Sequence, residues 1–290
     1  MVAEAGDEAL QTGSDFLRSR HHEIKFDSKT GRVSALLDRV QGRVLLPEWS
    51  RWAWAEPVAE VLESQRHADA STQSFLNGTR VMTAGQFAAE SHFSKVEHRG
   101  SSVWLIRRHE LITGHRVESQ IGLCSGSDEV AVVWKVHLND YANPNGIYAA
   151  FPTRLAGGWR AFFNTAGVEV EFDVGQLPGA CRDFVTTEHS VALREGEQSW
   201  TLRCPDAPLV MLNGFHYGKK LTALPDRLPE PFLLGWVYNN YWGTNFPASE
   251  PGSFELHWGL RWESSSEGKP PLPWEQEVLL HPVHEGGNPG

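Results

Sequence analysis

Apolar and polar positions alternate along most of this chain with a period of two. Ile24 and Phe26 alternate with Lys25 and Asp27, the signature of a half-buried strand. "DSKTG" supplies turn residues and "RVSALLD" resumes as a second strand. A turn at Gln41-Gly42 then leads to "RVLL", so this part reads as a meander. The clearest run is "DEVAVVWKVHLND", in which Val130, Val132, Trp134, Val136 and Leu138 fall on one face. "SSVWLIRRHELIT" and "HRVESQIGLC" read as strands paired across Thr113-Gly114. Beyond the turn cluster "YANPNG" come "IYAAFP", "WRAFFNT", "VEVEFDV" and, towards the end, "SFELHWGLRWE".

Two stretches break the pattern. "EWSRWAWAEPVAEVLESQRHADA" suggests a short helix after Pro57, and "TAGQFAAESHF" suggests another, within a long irregular excursion over residues 49 to 90. Residues 1–20 carry no sustained period and read as a tail or linker. Residues 21–264 form the sandwich, and 265–290 hold a Pro-rich linker, one last strand and a C-terminal tail. Roughly 15 strands separated by turn signals, with little helix, predict an all-β chain built as a large antiparallel β-sandwich.

Composition narrows the function classes. The chain has 290 residues, 40% hydrophobic and 21% charged, enough for a full core. Its net charge of −10, with no basic stripe, removes the electrostatic basis for nucleic-acid binding. No apolar run approaches the roughly 20 residues of a membrane span, and the polar, acidic N-terminus does not read as a secretory signal. Cys124, Cys181 and Cys204 are an odd number at long spacings, which suggests a reducing compartment. A cytoplasmic location is the expectation, and the sequon at Asn77 does not change it. Twelve tryptophans are many. Most should be core filler, while Trp49, Trp52 and Trp54 are candidates for an exposed docking patch.

Chemical motifs are sparse. The His67–Asp69 pair has a metal-like spacing without further donors at a useful offset, so no metal site is assigned. No nucleophile elbow, Walker or dinucleotide fingerprint occurs. Asp183 and Glu188 are conceivable paired carboxylates, but solvated loop charges explain them better. Two loops carry more. In "QLPGACRDF", Pro178-Gly179 makes a turn, after which Arg182 and Asp183 can either grip vicinal hydroxyls or brace their own loop. In "NNYWGTN", the amides of Asn239, Asn240 and Asn245 and the rings of Tyr241 and Trp242 could hold a sugar. The same residues could instead cap the loop and wedge between sheets; the wedge is favoured for Trp242, the sugar contact for Asn240.

Five segments, "FDSKTGRVSALLDRVQGRVLL", "AAFP", "QLPGACRDF", "CPDAPLVML" and "NNYWGTNFPASEPG", occur in this order over residues 22 to 260. Together they resemble bacterial glycoside hydrolase family 38 proteins, the α-mannosidase-like enzymes. The resemblance implies a galactose-mutarotase-like supersandwich C-terminal to a catalytic α/β barrel. It also implies that the family's zinc and its nucleophilic Asp lie outside this chain, which is expected to need no cofactor of its own and to be inactive alone. The implied partners are that barrel, or a second copy of the chain, and a mannoside-like carbohydrate. A stand-alone carbohydrate-binding module and an independent sugar epimerase or lyase are the alternatives.

Overall fold

The computed structural model describes residues 10–62, 84–155, 157–216, 221–223, 231–241, 247 and 249–264. Among them every regular element is a strand and every strand pairing is antiparallel. The N-terminal strands are β1 (Gln11–Thr12), β2 (Phe16–Arg18), β3 (His22–Phe26), β4 (Val33–Asp38) and β5 (Arg43–Val44), paired in chain order as a five-stranded sheet. Residues 10–20 are therefore not a tail. Leu17 is fully buried in the core and faces Ile24 across the β2–β3 pair. Strands of two and three residues are too short to show a period, which hid them in the sequence.

Next come β6 (Glu56–Leu62), β7 (Ala84–Ala88), β8 (Glu90–Arg99), β9 (Ser102–Glu110), β10 (Arg116–Cys124), β11 (Glu129–Leu138) and β12 (Asn145–Pro152). The remainder are β13 (Arg160–Thr165), β14 (Val168–Glu171), β15 (Val185–Thr186), β16 (Ser190–Glu195), β17 (Gln198–Arg203), β18 (Leu209–Leu212), β19 (Phe232–Asn239) and β20 (Gly252–Ser264). They build a nine-stranded sheet, β14-β13-β16-β17-β20-β11-β10-β9-β8, and a six-stranded sheet, β15-β18-β19-β12-β6-β7. Both segments read as helices are strands where they are described: "EPVAEVL" is β6, and "AGQFA" and "ESHF" fall in β7 and β8. Sheet pairing overrides the helix preference of their Ala and Glu residues. Residues 63–83, with His67, Asp69 and Asn77, lie outside the described set, as do residues 1–9 and 265–290.

The two large sheets face one another. From the nine-stranded sheet, Val130, Val132, Trp134, Val136 and Leu138 of β11 point into the core with Leu256, Trp258 and Leu260 of β20. From the six-stranded sheet Phe151 meets Trp258 at 5.8 Å and Trp54 at 5.8 Å. Gly235 of β19 leaves room for the Trp258 indole, since a Cβ there would lie 3.2 Å from Nε1. The five-stranded sheet closes one end of this space, with Phe26 stacked on Phe93 at 5.9 Å. Turn glycines take the left-handed backbone where the sequence placed them, Gly114 at φ +78° and Gly179 at φ +77°.

Of the ten described tryptophans nine are buried and only Trp49 is exposed. That corrects the expected patch, because Trp52 and Trp54 are 5% and 1% accessible and pack inward. The three cysteines are unpaired: Cys124 and Cys204 are buried, and Cys181 is exposed. No described helix is long and apolar enough to cross a membrane.

Candidate functional site

The outward face of the six-stranded sheet carries a second, smaller cluster. Val58 and Leu62 of β6, Tyr148 and Ala150 of β12, Leu234 and Trp236 of β19 and Met211 of β18 share it with Trp52, Phe215 and Tyr241. The register explains which side chains meet. Tyr148 pairs with Val58 on one side and Trp236 on the other, and a bulge between Ile147 and Tyr148 leaves Val237 as the extra residue of β19. That bulge keeps Trp236 on the face of Tyr148, their rings stacked at 5.9 Å, while Tyr238 lies against His115 at 5.8 Å. Phe215 sits edge-on to Tyr148 at 5.0 Å and to Trp52 at 5.9 Å.

Both loops singled out in the sequence reach this face. The Arg182–Asp183 loop does so through the next residue, Phe184, whose ring is 5.4 Å from Trp236. The loop after β19 arrives with Tyr241, 6.1 Å from Trp236. Trp242 and Asn245 lie outside the described residues.

The geometry favours bracing over display. Arg182 is 3% accessible, and its guanidinium donates to Asp173 Oδ1 at 3.1 Å and to the carbonyls of Ala180 and Leu177 at 2.7 and 3.3 Å. Asp183, equally buried, accepts from the Leu221 amide at 2.7 Å. These two residues hold their own loop rather than presenting a forked grip to solvent. The Glu188 carboxylate likewise accepts the amides of Ala166 and Gly167 at 2.8 and 3.1 Å. Asn240, 7% accessible, ties the end of β19 to the loop before β12. Its Oδ1 accepts from Asn145 N at 2.7 Å and Asn145 Nδ2 at 3.1 Å, and its Nδ2 donates to the carbonyls of Tyr141 and Asn143. Asn239 closes β19 opposite Gly146, half-buried.

Tyr241 reveals what the sequence reading missed. Its hydroxyl donates to Glu60 Oε2 at 3.0 Å and lies 3.1 Å from the Tyr148 hydroxyl, which reaches the same oxygen at 3.2 Å. Gln86 Nε2 donates to Glu60 Oε1 at 3.1 Å. Glu60 is 5% accessible, so a carboxyl group is held inside an aromatic cluster by two phenols and an amide. Burial, then the neighbouring Tyr148 and Glu60, push the Tyr241 phenol well above the usual tyrosine range. It therefore stays protonated and acts as a donor, not as a base. Gly146 is what lets Tyr241 cross β12 to reach Glu60, since a Cβ at 146 would overlap the phenol oxygen.

A sequence signal for this cluster existed: Glu60 and Tyr148 occupy positions whose neighbours two residues away, Val58, Leu62 and Ala150, are core-forming. Tyr241→Phe is expected to cost about 1.5–3 kcal/mol of stability, the value of a hydrogen bond to a charged group, with Gly146→Ala at least as damaging. Urea unfolding at neutral pH reads both, and unchanged midpoints would show that the phenol does not hold Glu60.

A second buried polar chain runs between the large sheets. Arg107, 1% accessible, donates to Ser119 Oγ at 3.0 Å and to the Ala55 carbonyl at 2.8 Å. His109 bridges Ser119 Oγ at 2.7 Å and Ser91 Oγ at 2.8 Å. Burial lowers the Arg107 pKa to about 10, partly offset by Glu56, so the side chain stays charged at neutral pH. Ser119 is inaccessible, so its contact with His109 is not an open nucleophile–base pair. Among the described residues no three His, Cys, Asp or Glu side chains converge on a point that could hold a metal ion.

No family model and no curated protein sequence matches the chain. Solved structures do. A protein in the glycosyl hydrolase family 38 from Enterococcus faecalis superposes with a TM-score of 0.57 at 9% identity, over 89% of this chain and 31% of that chain. An alpha-mannosidase from Enterococcus faecalis V583 superposes at 0.54 and 8% identity, over 89% and 30%. A galactose mutarotase-like protein from Lactobacillus casei ATCC 334 aligns over 86% of this chain and 99% of its own, at 12% identity and a TM-score of 0.47. At such identities the likeness is one of fold. This chain has the fold of a portion, 31% in length, of a glycosyl hydrolase family 38 chain.

Proposed function

We propose that this chain is the non-catalytic, C-terminal β-sandwich portion of an α-mannosidase-like glycoside hydrolase, a frame that supports a catalytic barrel outside these 290 residues. The observation that carries the reading is how the candidate groups are used. Arg182, Asp183, Asn240 and Tyr241 are buried and committed to loop and sheet contacts, in a fold that matches under a third of a family 38 chain. Retaining glycoside hydrolysis needs two carboxyl groups facing each other across an accessible bond, roughly 5 Å apart. The carboxylates singled out here either cap backbone amides or, like Glu60, lie under aromatic rings. On this reading the zinc and the nucleophile belong to the barrel, and the sandwich contributes rigid loops at its border.

The purified chain is expected to leave aryl α-mannosides intact with or without added zinc. Turnover abolished by a chelator and restored by zinc would overturn the proposal. The alternative of an independent epimerase or lyase needs a His or Tyr and a carboxylate meeting in an open cleft. Among the described residues Glu60 meets Tyr148 and Tyr241 closed to solvent, whereas His257, 2.6 Å from Asp206 Oδ2 and 3.1 Å from Glu255 Oε1, makes a surface contact between β20 and the loop after β17.

A further inference from the structure

A cleft of about 380 Å³ opens elsewhere, between the β3–β4 hairpin and the segment 46–54 that leads into β6. Its lining includes Asp27, Arg32, Ser34, Glu48, Ser50 and Trp49. Trp49 is 75% accessible, while Trp52 and Trp54 of the same segment are buried. The exposure is built into the backbone. Leu45 O accepts the Arg154 amide at 2.9 Å, and Ser50 Oγ accepts the Trp52 amide at 3.3 Å. Glu56 Oε2 accepts the Ala53 amide at 2.7 Å, and the Arg51 guanidinium lies 4.5 Å from the Trp52 ring. A segment anchored at these points holds its one exposed indole at the mouth of a cavity, although burying such a ring would gain about 1.5–3 kcal/mol.

The charged groups are also uncommitted. Arg32 and Glu48, of opposite sign and both exposed, line the same cleft, and neither side chain has an ion pair or hydrogen bond among the described residues. Asp27 spends Oδ1 on its own turn, accepting from Lys29 N, Thr30 N and Thr30 Oγ1 at 3.0, 2.7 and 2.9 Å, and no described group donates to Oδ2. Those turn hydrogen bonds, the Thr30 amide first, lower the Asp27 pKa and keep the carboxylate an acceptor.

We infer that this cleft binds a neutral sugar ring, stacked on Trp49 and held through its hydroxyls by Arg32, Glu48 and Asp27. A pyranose has an apolar C–H face and a rim of hydroxyls, each both donor and acceptor. It needs a flat aromatic surface, a guanidinium that only donates and carboxylates that only accept. Two carboxylates against one guanidinium disfavour phosphorylated or acidic ligands. The volume lies at the small-molecule end of the usual 300–1,000 Å³ range, whereas a protein partner would require about 800 Å² of surface on each side. The inference does not rest on the proposed function, since it places the sugar at the five-stranded sheet and not at the Tyr241 loop.

Intrinsic fluorescence and calorimetry on the whole chain test it, with methyl α-mannoside, methyl α-glucoside, their disaccharides and glucose 6-phosphate as probes. At least one neutral sugar should bind saturably in the millimolar range and shift the tryptophan emission. Trp49→Ala, at a position too exposed to affect folding, should weaken that binding at least about tenfold. Arg32→Met and Glu48→Gln should weaken it severalfold, and Tyr241→Phe should not change it. No saturable binding of any neutral sugar, binding that survives Trp49→Ala, or tighter binding of the phosphorylated sugar would each overturn the inference. Mannoside turnover enters none of these readings, so the inference and the proposed function fail separately.

Discussion

Replacing Trp134 by alanine is expected to cost about 3–5 kcal/mol of folding stability, enough to leave a typical domain largely unfolded under mild denaturant. Trp134 is fully buried near the middle of β11, an interior strand of the nine-stranded sheet flanked by β20 and β10. Its cross-strand neighbours are Ser119 and Leu256, and its ring meets Trp258 edge-on at 5.2 Å. Removing it takes away the largest side chain of that strand and opens a cavity that two rigid sheets cannot collapse around. The informative contrast is Trp134→Phe. The indole N–H has no hydrogen-bond partner among the described residues, so phenylalanine forfeits area and packing but no polar contact. It should also relieve a desolvated donor of the kind that costs about 1–3 kcal/mol to bury. The phenylalanine variant is therefore expected to lose less than half as much as the alanine variant in urea unfolding. Equal losses would mean that the N–H is satisfied in solution and that the ring is held by a polar contact.

The same strand shows why some of this fold was legible and some was not. β11 alternates because each face meets an environment fixed along its length, so Val130 to Leu138 announce themselves. The β9–β10 hairpin at Gly114 and the loop turn at Gly179 were equally plain, because a left-handed backbone narrows the residue choice. β6 gave the opposite signal. Its Pro57, Glu56 and Glu60 read as the start of a helix, because what satisfies Glu60 comes from tyrosines 88 and 181 residues away. Among the described residues the local partner of Glu56 is the amide of Ala53, three residues back. No local pattern encodes a carboxyl group whose donors arrive from two other strands and a loop.

The candidate site was half legible for the same reason. Asn240 and Tyr241 were visible as unusual residues, but whether they face sugar or sheet depended on Gly146 and Asn145, which supply the room and the amide partner. Arg182 posed an even choice in the sequence because both outcomes use the same side chain. The carbonyls of Leu177 and Ala180 in its own loop decide between them.

Acidification from about pH 7 to pH 5 should lower stability steeply, and the cause is the set of histidines that the fold holds neutral. His109 lies far below the usual imidazole pKa, through burial first, then the Arg107 charge and His92. His22 is lowered by burial, against its hydrogen bond to the Asp128 carbonyl and the nearby Asp38. Burial also lowers His115, against its contact with Asn145. In each case the unfolded chain takes up a proton near pH 6.5 while the folded chain does not. Stability is thus fully present above that pH and is lost as the pH falls towards the folded-state value. Each imidazole can withdraw at most about 1.4 kcal/mol per pH unit. Net charge works the other way, because a chain at −10 approaches neutrality near its isoelectric point of about 5.7 and loses self-repulsion. Glu97, lowered to about 2 by Arg99 and Lys95, acts in a separate window below pH 4.5, and as a solvent-screened surface group it contributes little. Urea midpoints measured across this range should therefore fall below pH 6.5. His109→Gln, which keeps a hydrogen-bonding side chain but cannot titrate, should make the fall shallower. A flat profile, or an unchanged slope in His109→Gln, would mean that the chain of serines around His109 admits the proton and that this part of the core is wetter than its geometry shows.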